Sequence, residues 1–150
     1  MSPLQATLRE SMKDAMRARN KPRLETIRLA LAEIRRVEVD ERIDCDDARV
    51  TGILSRMVKQ RKDSISQFEA GGRDDLVAKE RGQIEVIQEF LPQALDGEEL
   101  AKLIAEAVAK AGAESMRDMG KVMGLLKPQV TGRADMGEVS RQVRQLLSAD

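Results

Sequence analysis

Apolar residues recur every three or four positions along most of the chain, which is the spacing that lines one face of a helix. No stretch alternates polar and apolar residues for long enough to indicate a strand. Proline, glycine and acidic residues separate the periodic stretches and supply the signals with which helices begin and end. The pattern therefore predicts an all-α protein of seven helices.

Four of these helices are predicted in residues 1–92, which we expect to form a helical N-terminal domain. Ser2 and Pro3 start the first helix, because a serine cap and a proline suit the free amides of a first turn. The third helix should bury Ile65 and Phe68 together with its earlier apolar positions. The expected bounds are Ser2 to near Asn20, Pro22 to before Glu38, Asp46 or Asp47 to Gly71, and about Asp74 to Leu91.

The segment Glu38–Asp47 lies between the second and third predicted helices and contains six acids and one arginine. We expect a solvated loop that ends in helix caps, since runs of charge usually face solvent. A calcium loop would need ligands at fixed odd positions around a central glycine, and this segment contains no glycine.

Residues 93–150 are predicted to form a small second domain of three helices, with the boundary at Pro92–Asp96. Asp96 and Glu99 supply a capping box for the first of these helices, and Gly112 ends it. The last helix is expected to run from Asp135 to Ser148, with a cap formed by Asp135 and Glu138, and to pack through Val139, Val143, Leu146 and Leu147.

The middle helix of this second domain begins near Ser115 and contains two glycines, Gly120 and Gly124. Each glycine costs about 1 kcal/mol relative to alanine inside a helix, so we expect another backbone to approach closely there. Pro128 should end or kink the helix, because proline removes a donor and clashes with the preceding turn. Gly132 allows a left-handed turn into the last helix.

Composition narrows the class of protein and its compartment. Lysine plus arginine and aspartate plus glutamate both number 26, so no overall positive field favours nucleic acid. No apolar run approaches the roughly 20 residues that cross a bilayer, and the N-terminus has no secretory apolar core. The single cysteine, Cys45, excludes an internal disulfide. We therefore expect a cytoplasmic protein with no membrane partner.

Few side chains are suited to catalysis or metal binding. The chain has no histidine, which removes serine–histidine and cysteine–histidine pairs and disfavours a zinc site. Cys45 lies among acids, which raise the pKa of a thiol rather than activate it. Gly120 and Lys121 do not form a phosphate loop, because Val122 stands where Ser or Thr is required. Lysine bases and carboxylate pairs stay open, but we expect no catalytic residue, metal site or cofactor.

Charge is distributed unevenly along the chain. Between Arg117 and Gln145 there are six basic residues and three acids, a local balance of 6 − 3 = +3. A second basic run, from Arg49 to Lys62, contains no acid. For either run alone, a solvated helix surface is the simplest interpretation.

The chain resembles the YqeY family in several short motifs. The main ones are Met119-Gly-Lys-Val-Met-Gly124 and Gly132-Arg-Ala-Asp135, which are also similar to the tail module of GatB. GatB is the B subunit of glutamyl-tRNA(Gln)/aspartyl-tRNA(Asn) amidotransferase. Further similarity at Lys59–Phe68, Phe90–Pro92 and Glu98–Leu100 extends the resemblance over nearly the whole chain.

The resemblance implies a helical N-terminal domain, a GatB-tail-like C-terminal domain and contact with tRNA, which the GatB tail touches. It therefore implies a non-catalytic tRNA-associated module. With only two aromatic residues in the chain, binding would rest on phosphates and helix shape rather than on base stacking. The candidate contacts are Lys121 and Arg133 inside the matching motifs, with Lys127, Arg141 and Arg144 beside them.

Two other functions stay open. One is a carbon–nitrogen ligase activity with glutamine as amide donor. That activity would need other subunits, because the resemblance covers only the amidotransferase tail. The other is a protein-interaction adaptor whose N-terminal domain binds a translation-related protein. An exposed apolar groove in that domain would favour the adaptor.

Overall fold

The computed structural model describes residues 1–148, and every regular element in that range is helical. The all-α prediction is therefore confirmed for the described residues. A short 3₁₀ turn, Met116–Asp118, leads into the sixth helix. The helices are α1 (Pro3–Arg17), α2 (Lys21–Glu41), α3 (Asp47–Ala70), α4 (Asp74–Gln88), α5 (Gly97–Ala111), α6 (Met119–Val130) and α7 (Met136–Ser148).

The chain divides into two compact units, Met1–Pro92 and Gln93–Asp150. The first unit contains α1 to α4 and the second contains α5 to α7. Each unit has its own cluster of buried apolar side chains. That each unit is a domain able to fold alone stays a prediction.

The N-terminal unit is built from capped helices around an aliphatic core. The Ser2 hydroxyl accepts a hydrogen bond from the amide of Gln5 at 3.1 Å and so caps α1. The Asp47 carboxylate accepts one from the amide of Leu4 at 2.9 Å, which ties the start of α1 to the start of α3. The fully buried large side chains of this unit are Leu8, Ile27, Ile34, Val50, Leu54 and Ile87.

The end of α4 differs from the expectation. The helix stops at Gln88, but Phe90 remains packed on the core as a half-buried side chain. Arg23 of α2 pairs with Glu89, and its guanidinium carbon lies 5.9 Å from the centroid of the Phe90 ring. These contacts hold the segment after α4 against α2. Ile65 and Phe68 were expected to be buried, and both are half-buried near the end of α3.

The acidic segment Glu38–Asp47 is not a loop over its whole length. α2 continues through Glu41, and Arg42 ends it in a left-handed conformation with φ of 55°. The loop prediction is therefore wrong for the first four residues. Several of these acids have partners in the chain, and among them the carboxylate of Glu38 accepts a hydrogen bond from the amide of Cys45 at 3.0 Å.

The C-terminal unit is a three-helix arrangement in which each helix contributes three buried side chains. The carboxylate of Asp96 accepts a hydrogen bond from the amide of Glu99 at 2.7 Å and caps α5, while Gly112 ends it with φ of 62°. Leu146 was expected to be buried and is 52% exposed. The core positions are Leu100, Ile104 and Ala107 of α5, Val122, Leu126 and Val130 of α6, and Val139, Val143 and Leu147 of α7.

The two leucines at the end of α7 give a matched test of its orientation. Leu147 is 6% exposed, so Leu147→Ala should lower the free energy of unfolding by about 2–5 kcal/mol, as large-to-small core changes do. Leu146→Ala removes the same atoms from an exposed position and should change it by less than about 0.5 kcal/mol. Chemical denaturation measures both. Equal losses in the two variants would show that the helix is rotated differently.

Separate cores predict that each unit folds without the other. A fragment of residues 93–150 should be helical by circular dichroism and give dispersed amide signals by NMR, although domains of this size are marginal in stability. A fragment of residues 1–92 is the companion measurement. A disordered C-terminal fragment would mean that its helices need the N-terminal unit.

Candidate nucleic-acid interface

The exposed face of α6 combines two lysines and two glycines. A helix turns about 100° per residue, so Lys121 and Lys127 project about 120° apart around the axis. Gly124 projects midway between them, and Gly120 lies on the same side of the helix. All four residues are exposed, opposite the buried side of α6. The two lysines therefore flank a strip of helix that has no side chains, the glycine strip (Gly120 and Gly124).

The glycine strip is open. Within residues 1–148, a Cβ atom at either Gly120 or Gly124 would have no other part of the chain within 4 Å. The expected close approach of another backbone to these glycines is therefore not made by residues 1–148 of this chain. The sequence did contain the signal, because at helical spacing both glycines fall opposite the apolar stripe. An external ligand can come closer to the backbone of α6 here than anywhere a side chain intervenes.

Pro128 does not end α6, which continues to Val130. The missing donor would have paired with the carbonyl of Gly124, and both residues are exposed, so that carbonyl can face water instead. The amide and the hydroxyl of Thr131 both donate to the carbonyl of Lys127, at 3.1 Å and 2.6 Å, and complete the last turn. Lys127 therefore lies at the helix C-terminus, where the partial negative charge favours a cation.

The start of α6 carries a negative charge close to the basic residues. The Asp118 carboxylate accepts hydrogen bonds from the amides of Glu114 and Ser115, at 3.0 Å and 3.4 Å. These bonds are the main reason that the pKa of Asp118 is lowered, with smaller contributions from Lys121 and Arg117. Asp118 is therefore an ionised cap, and it offsets part of the positive charge at this end of the helix.

Arg133 has a structural role in the C-terminal unit. Its Nε donates to the carbonyl of Gln93 at 3.0 Å, and its own carbonyl accepts from the amide of Leu95 at 2.8 Å. The half-buried arginine thus ties the segment before α5 to the turn after α6. Gly132, beside it, has φ of 79°, which agrees with the expected left-handed turn. Because the Nε is bonded to Gln93, a phosphate would bind Arg133 through its terminal nitrogens.

The two arginines of α7 have different surroundings. Arg141 forms a two-pronged ion pair with Glu138, in which the Nε donates at 3.0 Å. This hydrogen bond lowers the pKa of Glu138 to about 2, and a bond from Gln142 contributes. At the start of α7 the Asp135 carboxylate accepts a hydrogen bond from the amide of Gly137 at 3.4 Å, and within residues 1–148 the partners of Glu138 are Arg141 and Gln142. The charge of Arg141 is balanced locally, whereas Arg144 is exposed and forms no ion pair within residues 1–148.

The five candidate contacts are thus unequal. Lys121 and Lys127 are brought together on the exposed side of one helix. Arg133 is engaged in the fold, Arg141 is paired, and Arg144 lies on a different helix. The best-defined site in this unit is the α6 face, which consists of Lys121, Lys127 and the glycine strip.

Other reactive chemistry is sparse in the described part of the chain. Cys45 is buried, and burial is the main cause that raises the pKa of its thiol, followed by the charge of Glu38. Within residues 1–148 no three histidine, cysteine or acidic side chains are grouped as metal ligands. No helix in that range is long and apolar enough to cross a membrane.

The Glu138–Arg141 pair predicts how the charge of Glu138, and the stability that depends on it, change with pH. Because the pKa of Glu138 is lowered to about 2 from 4.5, its stabilising effect is present above pH 4.5 and is lost as the pH falls towards 2. Side-chain NMR of Arg141→Ala should show a raised pKa for Glu138. Arg144→Ala is the control and should leave the low value unchanged. A wild-type Glu138 that titrates near 4.5 would contradict the pair.

Comparison of the sequence with known proteins identifies the family of this chain. A family model described as Yqey-like protein matches residues 5–147. The chain is 32% identical over 148 residues to "Altered inheritance of mitochondria protein 41, mitochondrial" of Pyrenophora tritici-repentis, covering 95% of this chain and 80% of that protein. It is 31% identical over 123 residues to the protein of the same name from Saccharomyces cerevisiae (strain ATCC 204508 / S288c), covering 78% and 66%. The chain thus spans about two thirds of the yeast relative.

These relatives correct one expectation. Both are named as mitochondrial proteins, which contradicts the expected purely cytoplasmic location. The basis of that expectation was too broad, because a single cysteine fits any compartment in which no disulfide forms and does not single out the cytosol. The expected family, in contrast, is confirmed by the match over almost all of the sequence. The chain belongs to the YqeY family.

Proposed function

We propose that this chain is a non-catalytic tRNA-associated module that contacts the sugar–phosphate backbone through the α6 face. The observation that supports the proposal is the open glycine strip between two exposed lysines. A polyanion can lie close to a helix surface that has no side chains, and flexible lysines on both sides can reach its phosphates. The likeness of this segment to the GatB tail, which touches tRNA, points the same way.

The aromatic residues favour backbone contact over base recognition. Single-stranded RNA is usually recognised by stacking of its bases on exposed aromatic rings. Phe68 and Phe90 are half-buried, and both belong to the N-terminal unit. The C-terminal unit contains no aromatic residue. The proposed contact is therefore to the phosphates of a folded, largely helical RNA, and it carries little sequence preference.

The other basic residues have supporting roles in this proposal. Arg144 extends the positive charge onto α7, and Arg133 can offer its terminal nitrogens without breaking its bond to Gln93. Arg141 contributes less, because Glu138 balances its charge. Few free charges imply modest affinity, near the micromolar range of non-specific binding.

A protein-interaction adaptor is a second candidate function, and one observation favours it. The N-terminal unit contains a groove of about 380 Å³ between α2 and α3, and its lining includes buried apolar side chains. An exposed apolar groove was one feature expected of an adaptor, and this groove combines apolar residues with charged residues in its lining. It is compatible with RNA binding by the C-terminal unit, because the two functions would use different residues.

The RNA proposal predicts salt-dependent binding. With about two to four phosphate contacts, log affinity for folded tRNA should fall against log salt with a slope of roughly −2 to −4. Lys121→Glu with Lys127→Glu should weaken all tRNAs alike and flatten this slope. Lys59→Glu with Lys62→Glu, an exposed lysine pair on α3, is the matched control. Binding can be followed by fluorescence anisotropy with labelled tRNA.

The glycine strip supplies a second arm of the same experiment. Gly120→Gln with Gly124→Gln adds uncharged side chains in open space, and helix propensity should keep or raise stability. RNA binding should nevertheless weaken, because the side chains cover the strip. Gly82→Gln, at an open position in α4, is the control. No tRNA binding at low salt, or unchanged binding in both double variants of α6, would rule out the proposed site.

A further inference from the structure

The groove between α2 and α3 has an apolar floor. Its volume is about 380 Å³, and the side chains of Val37, Ile53 and Met57 are buried along it. Ala48 and Gly52 also line it, four positions apart on α3, so they lie on one side of that helix. Small residues at these two positions leave room above the floor. The groove can therefore accept apolar side chains from outside.

Gly52 marks where an incoming segment would come closest. It lies inside α3, where glycine costs about 1 kcal/mol relative to alanine. A Cβ atom at this position would meet no other part of the described chain within 4 Å. No contact within the described chain therefore requires a glycine at this position. A partner that packs across Gly52 would use the space.

The rim of the groove is rich in guanidinium groups. Arg49 pairs with Glu41, with 2.6 Å between Nη2 and Oε2, and Arg36 pairs with Glu33. Arg56 forms no ion pair within residues 1–148, although it contributes with Arg36 to the lowered pKa of Glu33. Arg56 is therefore the cation at the rim that is most available to an external carboxylate.

The positive charge continues along α3 beyond the groove. Lys59 and Lys62 are exposed and, within the described residues, have no ion-pair partner. Arg61 is turned inwards, where its Nε donates to the side-chain oxygen of Gln83 at 2.9 Å. The sequence contains no acid between Arg49 and Lys62, and Asp63 follows directly after this run. An acidic partner would meet a row formed by Arg56, Lys59 and Lys62.

We propose that this groove binds an acidic amphipathic helix of a partner protein. Apolar side chains of that helix would occupy the floor over Ile53 and Met57, and its carboxylates would meet Arg56 and Lys59. This is the helix-in-groove mode of peptide recognition, in which charge complementarity sets specificity and orientation. RNA fits less well, because its phosphates gain nothing from the apolar floor.

A defined peptide tests the proposal on the full chain. The probe is a fluorescein-labelled helical peptide of about 16 residues with leucines on one face and glutamates beside them. A second peptide has lysines in place of the glutamates. Anisotropy at low salt should show binding of the acidic peptide only, with affinity that falls as salt is added. Equal binding of both peptides, or no binding of the acidic one, overturns the proposal.

Gly52→Leu tests the position of the peptide. The new side chain should fill the groove and weaken binding of the acidic peptide by at least about tenfold. Gly82→Leu, at an exposed position on α4 where a Cβ atom also meets nothing within 4 Å, should bind as wild type does. Circular dichroism should show that both variants keep the helical fold. Unchanged affinity in a folded Gly52→Leu variant places the peptide elsewhere and overturns the proposal.

The charged residues supply a second matched pair. Arg56→Gln with Lys59→Gln should weaken binding by about three- to tenfold, as for exposed ion pairs. Arg28→Gln with Arg35→Gln removes the same amount of charge from exposed positions on α2 outside the groove and should have little effect. Equal losses in the two pairs indicate non-specific attraction and overturn the proposal.

Further measurements distinguish the acidic helix from other possible occupants of the groove. The variant Lys121→Glu with Lys127→Glu should bind the acidic peptide normally, because the groove lies in the N-terminal unit and these lysines lie in the C-terminal unit. The peptide proposal therefore does not depend on the RNA proposal. Gly52→Leu should leave tRNA binding unchanged, and loss of it would assign the groove to RNA. A wild-type dimer that Gly52→Leu dissociates would assign the groove to a second copy. Either of those last two results overturns the proposal.

Discussion

Burial of one side of α6 determines what the C-terminal unit presents to solvent. Val122, Leu126 and Val130 are each completely buried, and together they fix the rotation of the helix about its axis. A rotation by one residue, about 100°, would expose this apolar row. The same packing therefore places the glycines and lysines outside. In α3, the burial of Val50 and Leu54 fixes Gly52 and Arg56 relative to the groove in the same way.

Local pairing decides which charges are available in a chain whose total charge is zero. An acid three or four positions from a basic residue on one helix usually balances it, as Glu138 does for Arg141. Basic residues without such a neighbour keep their charge for other contacts. Arg56, Lys127 and Arg144 belong to this group. The distribution of pairs along the helices is thus more informative about binding than the composition is.

Much of the fold follows from periodicity, because burial of one face is what positions these helices. The sequence predicted seven helices and their approximate bounds, and the helix caps at Ser2, Asp46 and Asp96 are present. The outcomes at three positions share one cause. Pro128, Glu38 and Gly120 were interpreted from local rules, whereas the exposure and the partners of each residue depend on the assembled structure.

The candidate site was only partly predictable for the same reason. Sequence spacing identified the lysines and the motif, but it did not show whether the glycine face was covered. It also did not show that Arg133 bonds to Gln93 and that Arg141 is paired with Glu138. Those contacts join residues distant in sequence or depend on side-chain geometry. The sequence did not predict where the α2–α3 groove lies, because its lining comes from two helices whose relative placement is set by the fold.

The bonds of Arg133 have a consequence for how the C-terminal unit can be joined to other sequences. They hold the segment at Gln93 and Leu95, where the chain enters the unit, against the turn between α6 and α7. The place of entry is thus fixed by the unit itself and not by whatever precedes it. A different protein fused ahead of Gln93 would meet the same three helices at the same point. The unit therefore contains the residues that fix where a preceding sequence joins it.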